Sequence, residues 1–330
     1  MYWRYERYFR HVHFSFRKSA HDVCINMKSF FTTWPVRIVG IIIAIFVIYT
    51  AIRAYDRRTD GFAIEKIHST LPYDSRWDVP VTKEDMALLQ KSVDQPFYYL
   101  AKGFQCYAFE SADGKYVLKF FRHQRLRLPS FFKGLPDIAY LRDWRERREK
   151  ELGLRLKYLF TGMKVGFEGA REETALLFVH LNKTNAIQKK IKIIDRLGST
   201  YVVDLDQVEF LLQRKAQLVK PTLQRLMAEG KENEAQERIA QIFVLVERCA
   251  KKGIQDTDGA LIRKDNLGFL EDRAIYIDSG KLAYKESIKT KEGFTKDLKR
   301  LRPLYKWLAQ NYPSLATYFE QEKQRAIDAF

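Results

Sequence analysis

GIQDTDGALIRKDNLGFLEDRAIYIDSGKL, residues Gly253 to Leu282, sets Asp256, Asp258, Asn266 and Asp278 around a short β-like run from Ala274 to Ile277. Loops between short strands can bring several side-chain oxygens to one place. Phosphoryl transfer needs such a place, because Mg²⁺ on a triphosphate takes oxygen ligands and the acceptor oxygen must be oriented by a carboxylate. Asn266 and Asp278 suit the metal, and Asp256 or Asp258 suits the acceptor. A Ca²⁺ loop of the EF-hand type does not fit, since it needs alternating ligands with a central glycine and a final glutamate, and DTDGALIRKDN lacks that order.

Upstream, NEAQERIAQIFVLVERCAKK puts Ile239, Ile242, Phe243 and Val246 on one helical stripe and runs directly into Gly253, a C-terminal stop after Lys251 and Lys252. The loop bearing Asp258 therefore hangs from the end of a buried helix. Before it, QVEFLLQRKAQLVKPTLQRLM reads as mainly helical from Leu205 on, with a break at Pro221. After it, Leu301, Leu304, Trp307, Leu308, Tyr318 and Phe319 mark further helices.

Nearer the amino terminus, PFYYLAKGFQCYAFES and KYVLKFFR flank Asp113-Gly114, a hairpin signature because both turn residues accept positive φ. On the second strand Val117, Lys119 and Phe121 share a face. A lysine on an edge strand usually faces solvent, the favoured reading of Lys119 taken alone, although one between apolar neighbours is also expected where a face lines a cleft. Thr82-Lys-Glu-Asp before Met86 reads as a capped helix start. DIAYLRDWRERREKELGLRLKYL, Asp137 to Leu159, has Ile138, Leu141, Trp144, Leu152, Leu156 and Leu159 at helical spacing. ALLFVHLNKT from Ala175 is nearly continuously apolar and reads as a buried strand, with His180 packed.

The spacing from Gly253 to Gly280 resembles the catalytic and metal-binding loops of the protein kinase-like superfamily, which includes the aminoglycoside and choline phosphotransferases. By that resemblance Asp258 is the catalytic aspartate, Asp256 stands where histidine is usual, Asn266 binds metal, and Asp278-Ser279-Gly280 corresponds to Asp-Phe-Gly. Two departures stand out: no His-Arg precedes the aspartate, and Asp258 and Asn266 lie eight positions apart where five is usual. The resemblance spans about Phe97 to Tyr284. It implies an α+β, two-lobed protein kinase-like fold, with a small β-rich lobe carrying one helix (97–183) and a larger, mainly helical lobe (184–330). It further implies Mg²⁺ and ATP as cofactors, Gly103 at the start of the loop over the phosphates, and Lys119 as the phosphate-pairing lysine. Glu149 would be the partner of that lysine, chosen over Glu146 and Glu151. The hinge would lie near Val179 to Leu181, with backbone groups of Val179 and Leu181 bonding adenine.

The chain has 330 residues, 46% hydrophobic and 14% aromatic, which argues for a folded protein with a sizeable core. A net charge of +17 favours a polyanionic partner. Lipid headgroups are preferred over nucleic acid, because Ile38 to Ile52 (IVGIIIAIFVIYTAI) carries no charge and no proline. Those residues reach only about 22 Å, so Trp34, Val36, Arg37, Arg53 and the interfacial tyrosines must complete a single-pass span, placed at 36–54. A signal peptide or a buried core helix are the rival readings. The basic, aromatic tail 1–35 suits the headgroup layer or is a floppy arm; 55–96 is a juxtamembrane linker and helix. Lysine and arginine counts on the two flanks nearly balance, so orientation rests on the expectation that an ATP-using domain is cytoplasmic. The three scattered cysteines, Cys24, Cys106 and Cys249, give neither a disulfide framework nor a zinc spacing. Three functions follow: a membrane-anchored phosphotransferase acting on a protein or small hydroxyl-bearing acceptor, a catalytically inactive kinase-shaped binding module, or a basic membrane-associated binder.

Overall fold

The computed structural model of the chain describes residues 34–129, 132, 134, 138–257 and 266–330. It falls into two units, Met1–Gly61 and Phe62–Phe330. In the first, α1 (Trp34–Arg58) is longer than the expected span, and at 25 residues it reaches about 37 Å. It is long and apolar enough to cross a membrane: within Val36–Arg58 an 18-residue window has mean hydropathy 2.2, and none of that window is buried.

In the second unit Phe62 is the first core residue, so the stretch expected as a linker is part of the fold. Phe62 packs edge-on against Tyr107 and Phe109, and Ile67 is fully buried. Burying two such side chains contributes about 3–6 kcal/mol, an upper estimate. Helix α2 (Lys83–Ser92) begins with a capping box in which the Thr82 hydroxyl accepts from the Asp85 amide and the Asp85 carboxylate from the Thr82 amide.

Seven strands follow in one sheet, ordered β4-β7-β3-β2-β1-β5-β6. They are β1 (Phe97–Lys102), β2 (Cys106–Ser111), β3 (Tyr116–Phe121), β4 (Leu176–His180), β5 (Lys190–Ile194), β6 (Thr200–Asp204) and β7 (Phe210–Arg214). Gly114 takes φ +70° in the β2–β3 turn. Phe109, Leu118, Phe120, Phe210 and Leu212 fill one sheet face with Phe62 and Ile67. Phe121, Val179 and Leu211 fill the other, against the long helix α3 (Ala139–Glu168).

The sheet corrects two expectations. Residues 205–218 form no α-helix: after one 3-10 turn at Leu205–Gln207, β7 lies between β3 and β4, and a two-residue strand β8 (Gln217–Leu218) follows it. β5, β6 and β7, all within the 184–330 expected as the mainly helical lobe, belong to the same sheet as β1 to β4. Beyond the short α4 (Arg171–Thr174), the helical lobe starts with α5 (Val219–Ala228) and α6 (Glu232–Lys251). Pro221 does not break α5, since it sits in the first turn where a missing N–H costs nothing. Short strands β9 (Ile254–Asp256), β10 (Leu267–Phe269), β11 (Ala274–Tyr276) and β12 (Leu282–Tyr284) come next, then α7 (Lys291–Leu298), α8 (Arg302–Asn311) and α9 (Pro313–Ala329). Ile239, Ile242, Phe243 and Val246 of α6 are buried with Leu301, Leu304 and Phe319, giving this lobe its own core.

Candidate active site

The hairpin β10–β11 builds one wall of the site. Leu267 pairs with Tyr276, so the residues just outside the pair, Asn266 and Ile277, meet at its open end. The Ile277 amide donates to the Asn266 carbonyl at 2.7 Å, and this holds Asp278 one residue from Asn266 across the hairpin. Asp278 Oδ1 accepts from the Gly280 amide at 3.0 Å, an Asx turn that aims the carboxylate.

Strand β3 brings Lys119 onto the same place. Its ammonium donates to the Ile277 carbonyl at 2.5 Å and to Gln213 Oε1 at 2.7 Å. Burial pulls the lysine below its ordinary range, partly offset by the facing Asp278 and Cys106. Burial and the Asp278 carboxylate push the Cys106 thiol up to about 12. Lys119, Asn266 and Asp278, drawn from β3 and from both ends of one hairpin, thus converge. Gln213 was missed from the sequence. Its amide nitrogen donates to Thr174 O at 2.6 Å and Tyr276 O at 3.0 Å, so it ties the sheet to the hairpin and positions Lys119. A glutamine inside the apolar run FLLQ was the available signal.

Gly103 closes the β1–β2 turn, its amide donating to the Cys106 carbonyl at 2.9 Å. The next residues fold over the Asp278 turn, and a Cβ on Gly280 would come 2.4 Å from Gln105 Oε1. From the other side α3 presses on the same turn. The Ser279 hydroxyl lies 3.1 Å from Met163 Sδ, and a Cβ on Gly162 would meet the Gly280 carbonyl carbon at 2.6 Å and Ser279 O at 2.7 Å. Gly162→Ala should gain about 1 kcal/mol of helix propensity and lose more by driving α3 against fixed backbone. A net loss of about 1–2 kcal/mol is expected in chemical unfolding. A more stable Gly162→Ala protein would show that the turn yields freely.

The remaining expected site residues lie elsewhere. Glu149, like Glu146 and Glu151, is exposed on the first half of α3, whose buried residues begin at Leu152. Lys119 is held by Gln213 and a carbonyl instead. Val179 and Leu181 are buried beside β7, with Val179 opposite Leu211 and α2 against β4. The strand that leaves the sheet for the helical lobe is β7, and Gln217 and Leu218 of β8 pair with Phe269 and Gly268. The chain therefore crosses from the sheet to the helical lobe at Lys215 to Leu218. Asp256 is 2% exposed and faces Arg300 at 3.4 Å, enclosed within the helical lobe's core and unable to reach an acceptor in solution. Asp258 lies outside the described residues. Thr257 beside it is bonded through its amide and its hydroxyl to the Lys281 carbonyl, both at 2.9 Å.

Asn266 and Asp278 supply two oxygen donors, and among the described residues no group of three or more His, Cys, Asp or Glu is placed to hold a metal. Mg²⁺ fits such a donor set, because it is commonly bound by one or two carboxylates with phosphate oxygens and water completing the shell. A cavity of about 570 Å³ lies apart from this site, lined by Tyr116, Arg214, Lys215, Gln217 and Phe269 among others, and none of Lys119, Asn266 or Asp278 reaches it.

No family model matches the chain, and no curated protein matches it. Among solved structures, it is similar to a crystal structure of WbdD at 2.2 Å resolution, with 16% identity and a TM-score of 0.34 over 68% of this chain and 45% of that one. A co-crystal structure of WbdD with a kinase inhibitor gives 16% identity and 0.31 over 68% and 45%. A medium-resolution structure of the bifunctional kinase-methyltransferase WbdD gives 15% and 0.30 over 67% and 43%. The chain spans less than half the length of these WbdD chains.

Proposed function

We propose that the chain is a kinase-like phosphotransferase, anchored in a membrane by α1, that moves the γ-phosphoryl group of Mg-ATP to a hydroxyl on a protein or on a small or lipid-linked sugar. The observation that carries this reading is the convergence of Lys119 with the Asn266–Asp278 hairpin end. Lys119 would pair the phosphates, and Asn266 and Asp278 would hold Mg²⁺. When bound, the metal would neutralise charge on the phosphates. Backbone groups of Lys215 to Leu218, where the chain leaves the sheet, would bond adenine, and Asp258 would orient the acceptor. The charge balance and α1 favour anionic headgroups as the surrounding surface and a cytoplasmic domain, with nucleic acid the weaker partner.

Lys119→Met should weaken ATP binding about 10- to 100-fold by calorimetry, the effect of removing one hydrogen bond to a charged group. Unchanged affinity would remove the lysine from the phosphate site. One observation favours the second reading, a kinase-shaped binding module without turnover. Lys119 has hydrogen bonds to an amide and a carbonyl rather than to a helix glutamate. Under that reading ATP binding is absent or indifferent to Mg²⁺.

A further inference from the structure

Three arginines gather where the β1–β2 turn meets α3, outside the Lys119–Asp278 site. Arg122, just after β3, donates through Nη1 to the Gly103 carbonyl at 2.8 Å, and its guanidinium lies 5.1 Å from the Tyr107 ring centre. Arg122 is 8% exposed, and its Nε is buried without a hydrogen-bond partner. Arg125 and Arg155 both lie over the ring of Phe104, at 4.5 and 6.0 Å, and Arg155 Nη1 reaches the Arg125 carbonyl at 3.4 Å. Phe104 itself is 54% exposed at the tip of the turn.

Among the described residues no carboxylate pairs with any of the three. The charged neighbours of Arg125 are Arg122 and Arg155, and after burial it is their repulsion that holds its guanidinium below the ordinary range. Elsewhere on this surface arginines find carboxylates, as Arg148 finds Glu151 at 2.8 Å. Like charges gathered without a counter-charge cost stability, and a doubly charged oxyanion removes that cost while filling several N–H donors at once. The free Nε of Arg122 is such a donor, already desolvated.

We propose that Arg122, Arg125 and Arg155 bind a phosphate group carried by the acceptor, so that the hydroxyl to be phosphorylated belongs to a phosphomonoester or phosphodiester. The assignment of that phosphate to the acceptor rests on the phosphotransferase reading; the anion site itself does not. The cluster is well placed for it. The charges of Arg122, Lys119 and Asp278 all act on Cys106, so the two sites are neighbours, and Gln105 of the same turn rests on Gly280.

The test uses the full chain in detergent without nucleotide. Glycerol 3-phosphate is titrated by calorimetry, and flotation with phosphatidylcholine vesicles is compared with and without phosphatidic acid. The parent and Asp278→Ala should bind one or both phosphate probes, and Arg125→Gln/Arg155→Gln should weaken that binding at least about tenfold. Arg125→Lys/Arg155→Lys keeps the charge and should fall between, which guards against a fold defect in the glutamine pair. Binding of the soluble probe points to a soluble acceptor, and binding only to phosphatidic acid vesicles points to a lipid headgroup. Equal affinity in the glutamine variant, loss in Asp278→Ala, or no binding of either probe by the parent would overturn the site. Failure of ATP binding alone would leave it standing.

Discussion

Asp278→Ala is expected to lower phosphoryl transfer from ATP by about 10³-fold or more while leaving the unfolding midpoint without nucleotide nearly unchanged. Metal-based charge stabilisation is worth several kcal/mol in the transition state, and about 4 kcal/mol corresponds to that factor. The fold should tolerate the change because the carboxylate is exposed at the rim of the site and its structural hydrogen bond is one acceptance from the Gly280 amide. Glycine at 280 and the pressure of Gly162 and Met163 keep the turn in place without it. Turnover is measured with labelled ATP and a panel of hydroxyl acceptors, phosphorylated and not. Transfer that persists in Asp278→Ala would mean the metal is held elsewhere or not used.

Glu209→Ala is expected to cost about 1–3 kcal/mol of stability, the usual result of leaving a buried polar group without its partner. Glu209 precedes β7, His123 follows β3, and the two lie 2.9 Å apart with side chains 1% and 2% exposed. Burial pushes the Glu209 carboxyl up, but the His123 ring beside it and the Ser69 hydroxyl outweigh this and hold it below its ordinary value. A depressed folded value means the carboxylate stabilises above its unfolded value of about 4.3, and this stability is lost as pH falls through the folded value. The parent should therefore lose stability below about pH 4.3, and the variant should lose less there. His123→Leu/Glu209→Leu should recover part of the loss, because it leaves no buried polar group unpaired. A midpoint within a degree of the parent at neutral pH would show that the pair contributes nothing. Ser69 belongs to the segment between α1 and the sheet, so this pair also fastens that segment, whose Lys183 contact is a 2.6 Å bond to the Ser69 carbonyl.

The parts of the site that local sequence could encode were legible. A hairpin bounded by Asn266 and Asp278 brings its two ends together by strand pairing alone, whereas the strand face of Lys119 by itself favours solvent and the downstream resemblance turns it to the cleft. What failed depended on partners far along the chain. Phe210 to Arg214 became a strand because β3 and β4 bury it from both sides, whereas QVEFLLQRKAQL alone fits a helical period as well. The continuous apolar run of β4 looks the same whether it leads to the hinge or lies against α2. Glu149 was placed by a stripe that begins at Ile138, but in the fold the buried residues of α3 begin only at Leu152, and Trp144 before it packs on Phe132. Asp256 looked like a candidate base until Arg300, 44 positions away, enclosed it.

The most direct test of the account is thermal unfolding of the full chain with ATP, with and without Mg²⁺, beside Asp278→Ala. At about a hundred times the dissociation constant, bound nucleotide should add about 2.7 kcal/mol of stability. The account predicts a higher midpoint for the parent only when ATP and Mg²⁺ are both present, and no such rise for Asp278→Ala. An equal rise in both proteins, or none in the parent, would contradict it.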